Sequence, residues 1–145
     1  MELKWSYNTD SIDWDELSLL YKIAPLGIKP VDYLKKVMKN SMFKCFVYSG
    51  TTLIGAGRAV ADGVDCAYFC DIVVHPEFQG KGIGKSIVKE LLSLSKGHRK
   101  IILYANPGKE AFYEKLGFNP MITAMAIFQD QDAAIESGLV KATSK

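Results

Sequence analysis

The sequence predicts an α/β protein with a mixed β-sheet of six or seven strands and about four helices. Three observations lead to this fold class. Alternating apolar runs of strand length are interleaved with stretches whose apolar residues recur every three or four positions, the period of a buried helix face. The turn sequence Ser49-Gly50-Thr51-Thr52 joins two such runs as an antiparallel hairpin. A strand, a helix and a strand over residues 66–105 then form a crossover, which makes the fourth and fifth strands parallel neighbours.

The composition is that of an ordinary globular protein, with 48% hydrophobic and 23% charged residues. The length of 145 residues suits one domain, so we expect residues 1–145 to form a single domain. The net charge of +2 is too small to indicate a nucleic-acid partner. No apolar stretch approaches the roughly 20 residues of a membrane span, and the N-terminal stretch has no apolar signal core. We therefore expect a cytoplasmic protein with neither nucleic acid nor membrane as a partner.

The cysteines do not form a metal-binding pattern. Cys45, Cys66 and Cys70 show no C-x-x-C spacing, and only two histidines could add to them. This predicts no metal site and buried thiols in a reducing compartment.

The first half of the chain predicts a strand, two helices and the hairpin. Pro25 and Gly27 end the first helix, and Lys29-Pro30 opens the second. The predicted elements are a strand over 2–8, a helix over 13–24, a helix from Lys29-Pro30 to about Asn40, and strands over 42–49 and 53–61.

The second half predicts the crossover, a short helix and a final strand. Gly97 and Gly117 end the two helices. The apolar stretch 121–128 could pair across a homodimer or lie inside the sheet. The predicted elements are a strand over 64–74, a helix over 82–95, a strand over 100–105, a helix from Asn106-Pro107, one or two strands over 118–128 interrupted at Pro120, and a weak helix with a frayed end over 130–145.

The stretch between the fourth strand and the following helix is a candidate phosphate cradle. Its sequence is Gln79-Gly80-Lys81-Gly82-Ile83-Gly84, and Lys85 follows in the first turn of the helix. Glycines let a phosphate approach the backbone, and the amides of residues 80–85 would point at it together with the positive end of the helix. A tight strand-to-helix turn alone would require one glycine, whereas this loop has three within five residues.

Two other phosphate motifs do not fit the loop. The pattern G-x-x-x-x-G-K-[ST] ending at Ser86 requires glycine where Gln79 stands. The dinucleotide pattern G-x-G-x-x-G starting at Gly80 requires glycine where Lys85 stands, and the chain has no second β-α-β half. The pattern that fits is Gln-x-x-Gly-x-Gly.

The chain resembles the GNAT superfamily of acyl-CoA-dependent N-acetyltransferases in two motifs. They are V-V-H-P-E-F-Q-G-K-G-I-G-K (73–85) and N-P-x-x-x-x-F-Y-x-x-L-G-F (106–118). The resemblance implies the GNAT-like fold, with strands four and five splayed, and acetyl-CoA as cosubstrate without a metal.

The resemblance also implies roles for individual residues. The coenzyme pyrophosphate would lie on the amides of Gly80 to Lys85, and the pantetheine arm would pair with the end of strand four. Asn106 matches a position that contacts the coenzyme, and Tyr113 one that lies near the thioester sulfur. The expected coenzyme-binding residues are Ile72, Val73, Val74, Gln79, Gly80, Lys81, Gly82, Ile83, Gly84, Lys85, Asn106, Phe112 and Tyr113.

The chemistry of acyl transfer assigns roles to a few of these residues. The amine must lose a proton before it attacks, the oxyanion that forms needs a donor such as the Val74 amide, and the leaving thiolate must be protonated. Tyr113 is the expected proton donor, and the alternative is a core aromatic beside Phe112. Asp71, in the middle of strand four, is the expected base, and the alternative is an ion pair with Arg58 on the neighbouring strand.

His75 and water are further candidates for the base. The predicted fifth strand offers no glutamate that could act as the base, because its central positions are Ile101, Ile102 and Leu103.

The predicted function is therefore transfer of the acetyl group of acetyl-CoA to a primary amine. The alternative is a non-catalytic acyl-CoA-binding sensor or partner module. The acceptor, on a small molecule or a peptide, is not identified, and we expect a monomer or a homodimer. Four acidic residues could attract a cationic amine or cap the first helix: Asp10, Asp13, Asp15 and Glu16.

Overall fold

The computed structural model describes residues 2–143 and divides into two compact units. The first unit runs to Leu103 and contains a five-stranded mixed sheet. The second unit begins at Tyr104 and contains two short helices. The predicted mixed α/β class is confirmed, while the prediction of a single domain stays a prediction.

The first unit follows the predicted order of elements. The sheet order is β1-β2-β3-β4-β5, antiparallel from β1 to β4 and parallel between β4 and β5, as predicted for strands four and five. A 3-10 turn over Pro76–Phe78 connects β4 to the glycine loop. The elements are β1 (Leu3–Ser6), α1 (Trp14–Ile23), α2 (Val31–Lys39), β2 (Phe43–Ser49), β3 (Thr52–Ala61), β4 (Cys66–Val74), α3 (Ile83–Leu94) and β5 (Lys100–Ile102).

Helix α1 begins with a side-chain cap. The Asp13 carboxylate accepts hydrogen bonds from the amides of Asp15 and Glu16, at 3.0 and 3.1 Å. The Glu16 carboxylate in turn accepts from the Leu53 amide at 3.0 Å, which links the helix to β3. Asp13 and Glu16, two of the four acidic residues of this region, therefore have structural partners. The prediction that Asp13 could cap the first helix is confirmed.

The sheet packs against helices on both faces. Residues of α1, α2 and three strands form one core cluster, which includes Phe46, Ala56 and Val73. Helix α3 packs on β2, β3 and β4. It lies so close to β3 that a Cβ placed on Gly55 would be 2.8 Å from the side chain of Ile87. Neighbouring residues of β3 thus face opposite helix layers, because strand side chains alternate in direction.

A β-bulge interrupts the pairing of β3 with β4. Ala56 lies opposite Val73 and Arg58 lies opposite Cys70, so Asp71 and Ile72 together face the single residue between the two β3 positions. Asp71 has φ +55°, the only positive φ at a non-glycine residue in the described part of the chain. An extra residue of this kind bends the strand and redirects its side chains.

The second unit is helical and has no strand among its described residues. Its helices are α4 (Glu110–Glu114) and α5 (Gln131–Glu136). Asp130 caps α5 by accepting from the Ala133 amide at 3.0 Å. A helix in the tail is therefore confirmed, although residues 144–145 of the predicted segment lie outside the described residues.

The predicted strand count is wrong. The described residues form five strands instead of six or seven, because 118–128 is not a strand and β5 is shorter than the predicted 100–105. Ile122, Met125 and Ile127 are at least 95% exposed. An alternating apolar pattern favours a strand only where a neighbouring edge supplies hydrogen-bond partners, and Pro120 removes one donor at the start of the segment.

The packing of α3 against β3 predicts that Gly55→Ala lowers the free energy of unfolding by about 1–3 kcal/mol, the range for overpacking. The new methyl would meet side chains of Ile87 and Val47 at 2.8 Å and the Val73 carbonyl oxygen at 3.1 Å. Gly57→Ala is the matched control, because its close contacts are all side chains that can move. Urea denaturation should show the larger loss for Gly55→Ala, and equal losses would contradict this account.

Candidate active site

The site is built where β4 extends beyond β5. The parallel pairing ends at Tyr68 and Ile102, whereas β4 continues to Val74. No strand of the described residues pairs with the β5-side edge of β4 at Ile72–Val74. This stretch of backbone is therefore open to an extended ligand.

The direction of the Val74 backbone follows from its neighbour. The His75 amide donates to the Ile54 carbonyl at 2.7 Å and therefore faces β3. Because successive residues of a strand direct their hydrogen-bonding groups to opposite sides, the Val74 N–H and C=O face the open edge. The Gln79 side chain donates to the Val74 carbonyl at 3.2 Å, so the Val74 N–H is the group at this edge that can bind a developing oxyanion.

The 3-10 turn after β4 leads into two glycines in the left-handed region. Gly80 has φ +78° and Gly82 has φ +80°. A Cβ on either residue would meet no protein atom within 4 Å, so within the protein itself glycine is required here for its backbone conformation. This conformation brings the loop into the start of α3.

The amides of residues 80–85 donate to no acceptor within the described part of the chain. The first amide of α3 with a backbone partner is that of Ser86, which donates to Gly82 O at 3.0 Å. Consecutive free amides at the positive end of a twelve-residue helix are groups that can bind an anion. Lys81 and Lys85 within this segment are exposed, and their side chains add positive charge to it.

Asp71 lies in a largely buried charge cluster. Its Oδ2 accepts from Arg58 Nε at 2.8 Å, and its Oδ1 lies 3.4 Å from Lys29 Nζ. The Tyr21 hydroxyl donates to the Asp71 carbonyl at 2.7 Å, and Arg58 Nη1 donates to Ser41 Oγ at 3.2 Å. The predicted ion pair with Arg58 is thus formed, while the role of Asp71 as a base stays a prediction.

Burial changes the proton affinities around this cluster. Burial raises the pKa of Tyr21 well above its usual range, and the negative charge of Asp71 adds to the effect. For Arg58, burial acts to lower the pKa, but the hydrogen bond to Asp71 and its charge outweigh it, so that the pKa is raised. Tyr21 therefore stays a neutral donor and Arg58 a permanent cation.

His75 is poorly placed to act as the base. Its Nδ1 accepts a hydrogen bond from the Glu77 amide at 3.1 Å, and its ring packs edge-on against Phe78. The proton of the neutral ring therefore lies on Nε2. The one ring nitrogen that can accept a proton is thus already hydrogen-bonded within the turn.

In the second unit, Tyr113 belongs to an aromatic cluster. Its ring centroid lies 5.0 Å from that of Phe112 and 6.0 Å from that of Phe118. Burial raises the pKa of Tyr113, so its phenol is protonated at neutral pH, as a proton donor must be. At the start of this region the Asn106 carbonyl accepts from the Lys109 amide at 3.0 Å. The roles of Tyr113, Phe112 and Asn106 toward a coenzyme stay predictions.

Sequence reasoning missed Lys29 as a member of the site. It was assigned only to the start of the second helix, and its partner Asp71 is distant in the sequence. The one local signal is its position before Pro30 in the loop between the first two helices, which does not reveal a tertiary ion pair.

Other classes of site receive no support from the described residues. Residues 2–143 contain no group of three or more His, Cys, Asp or Glu that could hold a metal ion. None of their helices has the length and apolar character needed to cross a membrane. All three cysteines are free thiols.

The burial of the cluster predicts that Arg58→Met lowers the free energy of unfolding by about 3 kcal/mol. This is the low end of the range for breaking a buried pair, because Lys29 still contacts Asp71. Lys100→Met is the matched control: the Lys100–Asp65 pair has the same 2.8 Å N–O distance but is about half exposed, so we expect little change. Chemical denaturation measures both, and a similar loss in the two variants would refute the role of burial.

Comparison with known proteins agrees with this architecture. The family model of the acetyltransferase (GNAT) family matches residues 9–118. An uncharacterized N-acetyltransferase, ycf52-like, of Prochlorococcus marinus is 33% identical over 74% of this chain and 63% of its own length. The chloroplastic GCN5-related N-acetyltransferase 2 of Arabidopsis thaliana is 40% identical over 75% of this chain and 46% of its own length. The chain thus spans less than two thirds of both relatives.

A solved structure shows the same fold. The GNAT family acetyltransferase of Streptococcus pneumoniae superposes with a TM-score of 0.73 over 89% of this chain and 100% of that one, at 21% identity. The family match covers the open edge of β4, the glycine loop and the helix that carries Tyr113. The chain belongs to the GNAT family of acetyltransferases.

Proposed function

We propose that this protein transfers the acetyl group of acetyl-CoA to a primary amine. The observation that carries this proposal is the continuity between the open edge of β4 at Ile72–Val74 and the free amides of residues 80–85. An extended pantetheine arm fits beside the open edge, and a pyrophosphate fits the anion site that follows. Membership of an acetyltransferase family supports the same ligand.

The reactive end of this ligand would lie near the outward-facing Val74 amide. That N–H donates a hydrogen bond to the oxygen on which negative charge develops during attack at the thioester carbonyl. Tyr113 then gives its proton to the leaving sulfur. The phenol carries its proton at neutral pH before the step, and burial raises the pKa of Tyr113 further from that range.

Asp71 is the proposed acceptor of the proton that the amine must lose. Arg58 binds Oδ2 of Asp71 and holds the carboxylate in position. Oδ1 then faces an ammonium group, which in this structure is that of Lys29. Arg58 is thus a positioning residue. Water at the open edge remains the other path for the proton.

Release of free thiol from acetyl-CoA, measured across a panel of amines, tests the proposal. A catalyst releases thiol only when a suitable amine is present. A non-catalytic acyl-CoA-binding module would show thermal stabilisation by acetyl-CoA and no thiol release with any amine. Absence of both stabilisation and thiol release would refute every acyl-CoA function.

The glycine loop predicts that Gly82→Ala weakens acetyl-CoA binding up to about tenfold. A non-glycine residue at φ +80° costs about 1–2 kcal/mol, which favours a loop conformation that no longer directs the amides at one point. Gly97→Ala is the matched control, because Gly97 also has a positive φ and open space but follows the other end of α3. Calorimetric titration should show weaker binding for Gly82→Ala alone; equal affinities in the two variants would remove the loop from coenzyme binding.

The proposed proton donor predicts that Tyr113→Phe lowers kcat by about 100-fold and leaves the affinity for acetyl-CoA nearly unchanged. The phenol acts on the leaving group, and a general acid typically contributes at least this factor. Tyr7→Phe is the control, because it removes an exposed phenol whose partner is Glu90. Unchanged turnover in Tyr113→Phe would assign the tyrosine to the aromatic cluster alone.

For the acceptor, the oligomeric state and the cellular compartment, we propose only the general class. The acceptor is a primary amine on a small molecule or peptide, and nucleic acid is not a proposed partner. The highly exposed Ile122, Met125 and Ile127 support a homodimer over a monomer. The free thiols support a reducing compartment, for which the cytoplasm remains our prediction.

A further inference from the structure

Lys29 is held in place by its backbone. It lies in the loop between α1 and α2, directly before Pro30, the residue that precedes the first turn of α2. The Lys29 carbonyl accepts a hydrogen bond from Ser18 Oγ at 2.7 Å, which ties the loop to α1. Only 16% of the Lys29 side chain is exposed. The ammonium group therefore has a defined location, unlike that of a surface lysine.

The surroundings of this ammonium are those of an amine-binding site. Nζ lies 3.4 Å from Asp71 Oδ1, 5.4 Å from the ring centroid of Tyr21 and 5.7 Å from that of Tyr33. A carboxylate and aromatic faces together recognise ammonium groups through charge and cation–π attraction. We call Tyr21, Tyr33 and Asp71 the ammonium cage. Arg58 neutralises the same carboxylate, so the cluster carries one surplus positive charge.

The ammonium cage lies beside the proposed reaction site. Asp71 directly precedes Ile72–Val74 at the bulge of β4, and a strand advances about 3.3 Å per residue, so Asp71 is within about 10 Å of Val74 along the strand. The Tyr21 hydroxyl binds the Asp71 carbonyl and thereby attaches the cage to the bulge. The structure therefore holds an intramolecular primary amine next to the bulge from which Ile72–Val74 continue.

We infer that Lys29 is an acetylation site of the protein itself. This inference rests on the proposed function, because it uses the same thioester and the same open edge. The Lys29 ammonium gives a proton to Asp71, from which it passes to solvent. The neutral Nζ then forms a bond to the thioester carbonyl carbon, and the carbon–sulfur bond breaks. The sulfur leaves as a thiolate, and the second proton that the nitrogen loses as the amide forms is taken up by this thiolate, which gives the free thiol.

The product changes the charge of the cluster. Acetyl-lysine is neutral, so Arg58 and Asp71 remain as a balanced pair and the surplus positive charge disappears. Asp71 Oδ1 loses the cation that contacts it in the unmodified protein. The ammonium group of a separate amine can then approach the carboxylate, so acetylation of Lys29 would raise the affinity for cationic acceptors.

The test is incubation of the full chain with acetyl-CoA and no other amine, followed by peptide mass spectrometry over time. Lys39 and Lys89 serve as internal controls, because they are exposed, lie outside the proposed coenzyme site and report on uncatalysed acetylation. We expect Lys29 to be modified faster than either, on the order of tenfold or more, since a positioned intramolecular amine has a large effective concentration. The rate should not depend on protein concentration, and the preference for Lys29 should vanish in denaturant.

Two variants test the ammonium cage. Tyr33→Leu removes one aromatic face that is 47% exposed and should slow Lys29 acetylation while the chain stays folded. Asp71→Asn removes the proton acceptor and should slow it further; thermal unfolding of each variant reports whether it is folded. Lys29→Arg keeps the charge and should lack the modified peptide.

The outcomes separate this inference from the proposed function. If amines from the panel are acetylated while Lys29 stays unmodified, or if Lys29 reacts no faster than Lys39 and Lys89, the inference is wrong and the proposed function stands. If acetyl-CoA neither binds nor releases thiol with any amine, the proposed function itself fails.

Discussion

The bulge that places Asp71 and Ile72 opposite a single residue of β3 is the constraint on which the site depends. It turns the Asp71 backbone into the left-handed region and sets its side chain toward Arg58 and Lys29. Beyond it, β4 continues past the end of β5 with one edge open. A regular strand would have kept its alternation and placed these groups differently, since one extra residue changes which face each side chain occupies.

The charge cluster couples this bulge to the helix layer. Tyr21 of α1 reaches the Asp71 carbonyl, Arg58 reaches Ser41 after α2, and Lys29 comes from the loop between these helices. All of these groups are largely buried, so each needs a partner to offset the loss of hydration. The same contacts therefore join the sheet to the helices and fix the surroundings of the Asp71 carboxylate at the bulge.

Sequence reasoning was most successful where function depends on local backbone. The three glycines indicated a loop, and the following apolar pattern indicated α3; the structure has both, with Gly80 and Gly82 at positive φ. The cap at Asp13 and the helix in the tail were likewise local features. The strand predicted over 118–128 is absent from the structure. An alternating apolar pattern does not reveal whether a neighbouring strand edge is available to pair with the segment.

The sequence by itself determined the order of elements in the first unit, the parallel crossover and the glycine loop, and two of its motifs carry the resemblance to the GNAT family. The first three follow from residue periodicity or from conformations that only certain residues adopt. The tertiary structure alone decided that Asp71 pairs with Arg58 at a bulge and that Lys29 lies in an ammonium cage. Contacts between residues far apart in the chain depend on register and packing, and neither is encoded in a local pattern.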